Sequence, residues 1–162
     1  MKKVLPVFFL FSLLVACLQP PDYPIEPVIA FERMSKTQML QTPLGNDSIL
    51  VTFSFTDGDG DLGFENNQTP DIFISDGRDS FAKPPYRIPY VGEQGVGNGI
   101  SGEISIVIPS TCCIYNPPGQ IPLTCSEVPV AWDTVFYRIY IQDRAGHKSN
   151  EIETALITLK CK

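Results

Sequence analysis

Asp57, Asp59 and Asp61 alternate with Gly58 and Gly60 in a run that continues through Leu62 to Gly63. Every second side chain is a carboxylate, and the spacers are the residues that bend most freely. Such a loop can turn several oxygens toward one hard cation, and Ca²⁺ takes about 6 to 8 of them. Carboxylates this close also repel one another unless a cation or N–H donors offset the charge. A metal-free chemistry fits the same residues: in a tight acidic turn, Asp side chains cap backbone N–H groups. The sequence leaves both open.

The run begins like an EF-hand loop and then departs from it. Leu62 occupies the place of the usual glycine, Gln68 falls where the bidentate Glu belongs, and no flanking helices are evident. A calcium site on the loop of a β-sandwich remains.

Catalysis fits these residues poorly. His147 is the single histidine and lies in a predicted hairpin turn, where histidines are usually exposed. A Ser–His–Asp triad needs three groups in mutual hydrogen-bond reach, and nothing marks a nucleophile elbow. A hydrolytic carboxylate pair drawn from the acidic loops is the form an enzyme would take. Gly95-Val96-Gly97-Asn98-Gly99 is not set between a strand and a helix, so it is no phosphate cradle. Trp132 and the tyrosines could stack on carbohydrate, but a place in the core is the preferred reading.

The elements that must position these groups are strands. Ile49, Val51, Phe53 and Phe55 alternate with Leu50, Thr52, Ser54 and Thr56. Ile104, Ile106 and Ile108 repeat the pattern, as do Val135, Tyr137, Ile139 and Ile141. The predicted strands are A (28–34), B (49–56), C (71–75), D (86–89), E (103–108), F (134–142) and G (151–159). Arg33 to Leu40 could form a turn of helix; otherwise 15 prolines argue against helices. Gly92 to Gly102 reads as a glycine-rich mobile loop, and Thr111 to Pro129 as a proline-rich connection. About seven strands with turn signals between them predict an all-β, two-sheet antiparallel sandwich.

Lys2 and Lys3 precede an apolar run from Val4 to Ala16, broken only by Pro6 and Ser12. That is the pattern of a secretory signal, too short for the roughly 18 to 20 residues of a membrane span. Pro20, Pro21, Pro24 and Pro27 then read as a semi-rigid tether. The predicted organisation is 1–16 signal peptide, 17–27 tether and 28–162 domain. Without Lys2 and Lys3 the chain has 10 basic and 18 acidic residues. An acidic balance of this kind argues against nucleic acid as a partner.

Leu14-Val15-Ala16-Cys17 resembles the lipobox of bacterial lipoproteins. The resemblance implies cleavage before Cys17, acylation there, and anchoring to a membrane by lipid. Leu18, in place of an Asp, implies outer-membrane placement, on the periplasmic face or the cell surface. Asp143-Arg144-Ala145-Gly146-His147-Lys148-Ser149-Asn150 resembles the D-x-A-G-N-x-S hairpin of bacterial immunoglobulin-like domains, with His147 in the place of the usual Asn. Together with Phe53 to Gly63, these features resemble uncharacterised Bacteroidota lipoproteins with a cadherin- or fibronectin III-like sandwich. That family carries no activity to transfer.

An immunoglobulin-like topology puts the B–C and F–G loops at the same end. It therefore predicts that Asp143 and Asn150 join Asp57, Asp59 and Asp61 around a cation. With lipid on Cys17, Cys112, Cys113, Cys125 and Cys161 remain for two disulfides, and their spacing does not suit zinc. Neighbours on an extended chain point to opposite sides, so Cys112 and Cys113 should have different partners. Cys113–Cys125 with Cys112–Cys161 is favoured, the exchanged pairing close behind. The functional expectation is an anchored binding, adhesion or interaction module, calcium-stabilised and non-enzymatic, with an envelope protein or surface ligand as partner. The alternative is a metal-free accessory component of an envelope complex.

Overall fold

The computed structural model describes residues 22–42, 46–66, 68–92, 99–125 and 128–162. The expected signal peptide, Cys17, the first half of the expected tether and the centre of the glycine-rich loop lie outside the described residues. Among the described residues the chain is all-β, in several small sheets, with no helix and no closed barrel.

Eleven strands follow in order: β1 (Val28–Met34), β2 (Gln38–Leu40), β3 (Ser48–Asp57), β4 (Ile72–Asp76), β5 (Ile100–Pro109), β6 (Ile114–Tyr115), β7 (Leu123–Thr124), β8 (Trp132–Val135), β9 (Tyr137–Ile141), β10 (Ile152–Glu153) and β11 (Ile157–Lys160). One sheet has the order β1-β3-β5, antiparallel throughout. A second has the order β10-β9-β4 and a third β2-β11-β8, while β6 and β7 form a small hairpin. Among the described residues only β2 runs parallel to its neighbour, with Thr158 opposite Gln38.

The alternation seen in the sequence is the alternation of burial. In β3, Ile49, Val51 and Phe53 are buried, and each sits opposite an isoleucine of β5: Ile108, Ile106 and Ile104. In β9, Tyr137, Ile139 and Ile141 are buried, the last two opposite Ile74 and Ile72 of β4. These faces share one hydrophobic core with Val135, Ile157 and Leu159. Each such side chain contributes roughly 1.5 to 3 kcal/mol by leaving water.

Several expectations need correction. Predicted strand F breaks at Phe136 into β8 and β9, which lie in different sheets, although Val135 and Tyr137 on either side stay buried. At the break the Phe136 ring lies against Gly77, where a Cβ would come within 2.2 Å of it, and the Phe136 carbonyl accepts the Gly77 N–H at 2.8 Å. Strand G breaks in the same way, and Thr154 spans the break: its hydroxyl accepts the Tyr137 N–H and its own N–H donates to the Tyr137 carbonyl. Predicted strand D is no strand. Of residues 86–89, Pro89 lacks a donor, and the segment meets β4 through an isolated bridge between Tyr86 and Ile72. The segment read as a turn of helix is extended and includes β2. The glycine-rich loop ends sooner than expected, since β5 begins at Ile100.

The disulfides are Cys112–Cys125 and Cys113–Cys161, the reverse of the favoured pairing. Cys113 faces the core and is fully buried, which directs it to Cys161 at the end of β11. Cys112 faces outward to the β6–β7 hairpin. Alternation separates the neighbours but does not say which one points inward. Arg78 completes this end: it donates to both oxygens of Asp76, to Asp133 at 2.5 Å and to the Cys112 carbonyl at 3.0 Å.

Candidate metal centre

Asp57 is the last residue of β3 and is completely buried, paired across the ladder with Ile100. Beyond it the chain curls back. Gly60 takes a φ of 69°, which L side chains rarely adopt, and this returns the Asp61 N–H to Asp57 Oδ2 at 2.9 Å. On the other side, β9 ends at Ile141 and the chain turns at Asp143, also buried. Asp143 Oδ1 accepts the His147 N–H at 2.7 Å, closing the hairpin.

The two loops are joined directly. Asp61 Oδ2 accepts the Ala145 N–H at 3.0 Å, and the Asp61 carbonyl accepts the Arg144 N–H at 3.3 Å. Arg144 Nη1 donates to the carbonyls of Leu62, Gly63 and Val91 at 2.8 to 3.0 Å. One guanidinium thus fixes the acidic loop to the F–G turn. Its alkyl-flanked charge rests 5.0 Å from the Tyr90 ring.

One oxygen from each of Asp57, Asp59, Asp61 and Asp143 lies within 4.8 Å of the others. That dimension has a chemical meaning. Two oxygens on opposite sides of a calcium ion, each about 2.4 Å from it, stand about 4.8 Å apart. The cluster could therefore hold a metal ion such as calcium. The oxygens left over from capping point the same way: Asp57 Oδ1, Asp59 Oδ1 and Asp61 Oδ1 are buried and have no hydrogen-bond partner. A buried carboxylate oxygen without a partner is costly, and a cation would satisfy all three at once.

The electrostatics record this cost. Burial pushes the Asp57 carboxyl up to about 6, with the neighbouring charges of Asp59, Asp61 and Asp143 adding to it. Asp61 is raised by burial and then by the charges of Asp143 and Asp59. His147 Nδ1 lies 2.8 Å from Asp143 Oδ2, and this hydrogen bond raises the imidazole above its ordinary value. His147 is thus a positioning group for Asp143, and its side chain is only partly exposed.

The structure brings together Asp57, Asp59, Asp61 and Asp143, from opposite parts of the sequence. It places Asn150 differently. Both ends of that amide are committed to Ile29 of β1: Oδ1 accepts the Ile29 N–H and Nδ2 donates to the Ile29 carbonyl, each at 2.8 Å. Asn150 is thus a strand-edge clasp, held on β1 beside the carboxylate cluster. Trp132 is also not a core residue: it is 53% exposed at the start of β8, with Lys160 over its ring. Arg144 and His147 were missed as parts of the site, although both sit beside Asp143 in the hairpin motif.

Compared with models of known families, with curated proteins and with solved structures, the chain matches none.

Proposed function

We propose that this chain is a lipid-anchored envelope protein whose immunoglobulin-like sandwich binds Ca²⁺ at one loop end and serves as a non-catalytic binding or adhesion module. The observation that carries the reading is the set of buried, unpartnered oxygens on Asp57, Asp59 and Asp61, gathered with Asp143 in one ion-sized space. The sandwich reading is supported by strand order. The sheet β1-β3-β5 stands for strands A, B and E; β4, β9 and β10 stand for C, F and G, continued by β8 and β11 with β2 alongside. Each group supplies apolar side chains to a single core.

The anchoring rests on the lipobox-like sequence ending at Cys17, with outer-membrane placement following from the same resemblance. Two disulfides are in keeping with an oxidising compartment. A binding role is preferred to a hydrolytic one because polar groups near the cluster already have structural partners. His147 holds Asp143, and the Ser149 hydroxyl accepts the Ile141 N–H and donates to the Asn150 carbonyl.

A metal-free accessory role has its own support. Asp57, Asp61 and Asp143 each cap a backbone N–H, which holds the two turns without an ion. Thermal melting separates the two readings. The calcium reading expects a higher Tm in millimolar Ca²⁺ than in chelator, and loss of that difference in Asp59→Asn/Asp61→Asn. Equal Tm values in both solutions would leave the capped acidic turn.

A further inference from the structure

The acidic loop is not closed by the F–G turn alone. Residues 22–27, which lead into β1, lie across its other side. An ideal Cβ on Gly58 would come within 2.4 Å of the Tyr23 carbonyl oxygen and 2.6 Å of that of Pro24. No side chain fits there, so the backbone of the entering segment rests directly on the loop between Asp57 and Asp59. The Tyr23 ring occupies the space beside Gly99, where a Cβ would be 2.7 Å from its edge and 3.1 Å from the Asp57 carbonyl. Pro27 is buried, and Ile29 is clasped by Asn150 at the base of the F–G hairpin.

The segment therefore rests on the acidic loop directly, and the strand it enters is held to the F–G hairpin at Asn150, through contacts separate from the carboxylates themselves. We propose that cation binding and docking of residues 22–27 are one coupled equilibrium, in which the ion fixes how the domain sits on its N-terminal segment. This rests on the calcium reading of the cluster. The physical reason is compression. Without a cation, carboxylates of like charge push Asp57, Asp59 and Asp61 apart, and Gly58 moves with them. Any such movement carries the surface on which Tyr23 and Pro24 lie. A cation draws the carboxylates onto one centre and restores that surface. The coupling must be reciprocal: whatever the ion adds to docking, docking adds to ion affinity.

The experiment uses the full chain with both disulfides intact and Ca²⁺ alone as the probe. Amide hydrogen exchange is followed over residues 22–31 in calcium and in chelator. The expected result is that exchange at Ile29, whose N–H donates to Asn150 Oδ1 where the segment enters β1, slows about tenfold or more in calcium, within the usual range of coupling between sites. Tyr23→Ala removes the ring beside Gly99 without altering any carboxylate. It should lower calcium affinity by about fivefold or more, whereas Ile25→Ala, at an exposed position on the same segment, should leave it unchanged. Calcium binding with unchanged exchange at Ile29, or with wild-type affinity in Tyr23→Ala, overturns the coupling and leaves the cation site standing. Absence of calcium binding overturns both.

Discussion

Asp61 and Ala145 are joined by a 3.0 Å hydrogen bond from the Ala145 N–H to the Asp61 carboxylate, across 84 residues of sequence. The bond uses one oxygen of Asp61 and leaves the other buried without a partner. The same division recurs at Asp57, where one oxygen caps the loop and the second is free. Capping and cation binding are therefore complementary uses of one carboxylate set.

The pH dependence of stability follows from the raised carboxyls. Asp57 and Asp71 both have folded values pushed up to about 6 by burial, against an ordinary 3.8. A raised folded value favours the folded state fully below the unfolded value and loses that contribution as pH rises through the folded one. In chelator, these groups should make the chain less stable at pH 7 than at pH 4, with the loss falling between about 4 and 6. Calcium should restore stability mainly above pH 6. Urea denaturation across this range, with and without Ca²⁺, checks both parts.

Asp71 offers a test of the buried carboxyl apart from the cation. Its Oδ1 accepts the Ile88 N–H at 2.6 Å, while Oδ2 is buried without a partner. Asp71→Asn keeps the acceptor and removes the charge. Relative to wild type it should lose part of the fall in stability between about pH 4 and 6. A wild-type pH profile in this variant would exclude Asp71 as a contributor.

The two disulfides should differ in weight. Cys113–Cys161 closes 48 residues and lies in the core; Cys112–Cys125 closes 13 and ties down a small hairpin. Loop-closure entropy alone gives about 4 and about 3 kcal/mol. The core bond should widen its lead, because replacing it with two alanines also empties buried volume. Denaturant midpoints of the two double-alanine variants measure the order, and non-reducing peptide mapping checks the pairing.

Arg78 should be the most costly single ionic residue to remove. It bridges Asp76 and Asp133, both largely buried, and also holds the Cys112 carbonyl. Arg78→Met would leave Asp76 with Lys83, at 3.6 Å, as its remaining ionic partner and Asp133 with backbone N–H donors in place of a cation. The expected loss is about 3 to 5 kcal/mol, and the additional change Asp76→Asn should recover part of it. Chemical denaturation of the single and double variants gives the comparison.

The sequence was most legible where burial alternates along one strand. Ile49, Val51 and Phe53 announce β3, and Tyr137, Ile139 and Ile141 announce β9, because each strand has one wet face. The breaks at Phe136 and Thr154 leave that alternation intact, so the pattern cannot reveal them. β2 is too short to show a period and exists because β11 offers it an edge. Asp143 was legible through topology, since the hairpin motif located the turn that meets the acidic loop. The clasp at Asn150 was not legible, because an amide at that turn suits a cation and a strand edge equally well in sequence. Only the position of Ile29 decides between them.

The proposed cation site unites Asp57, Asp59, Asp61 and Asp143. Calorimetric titration of Ca²⁺ into the full chain at pH 7.5 tests it most directly. The account predicts one ion bound per chain, binding abolished in Asp59→Asn/Asp61→Asn, and about 2.7 kcal/mol of added stability at a free calcium level one hundred times the Kd. Absence of binding heat, together with a denaturation midpoint that is the same in calcium and in chelator, would contradict it.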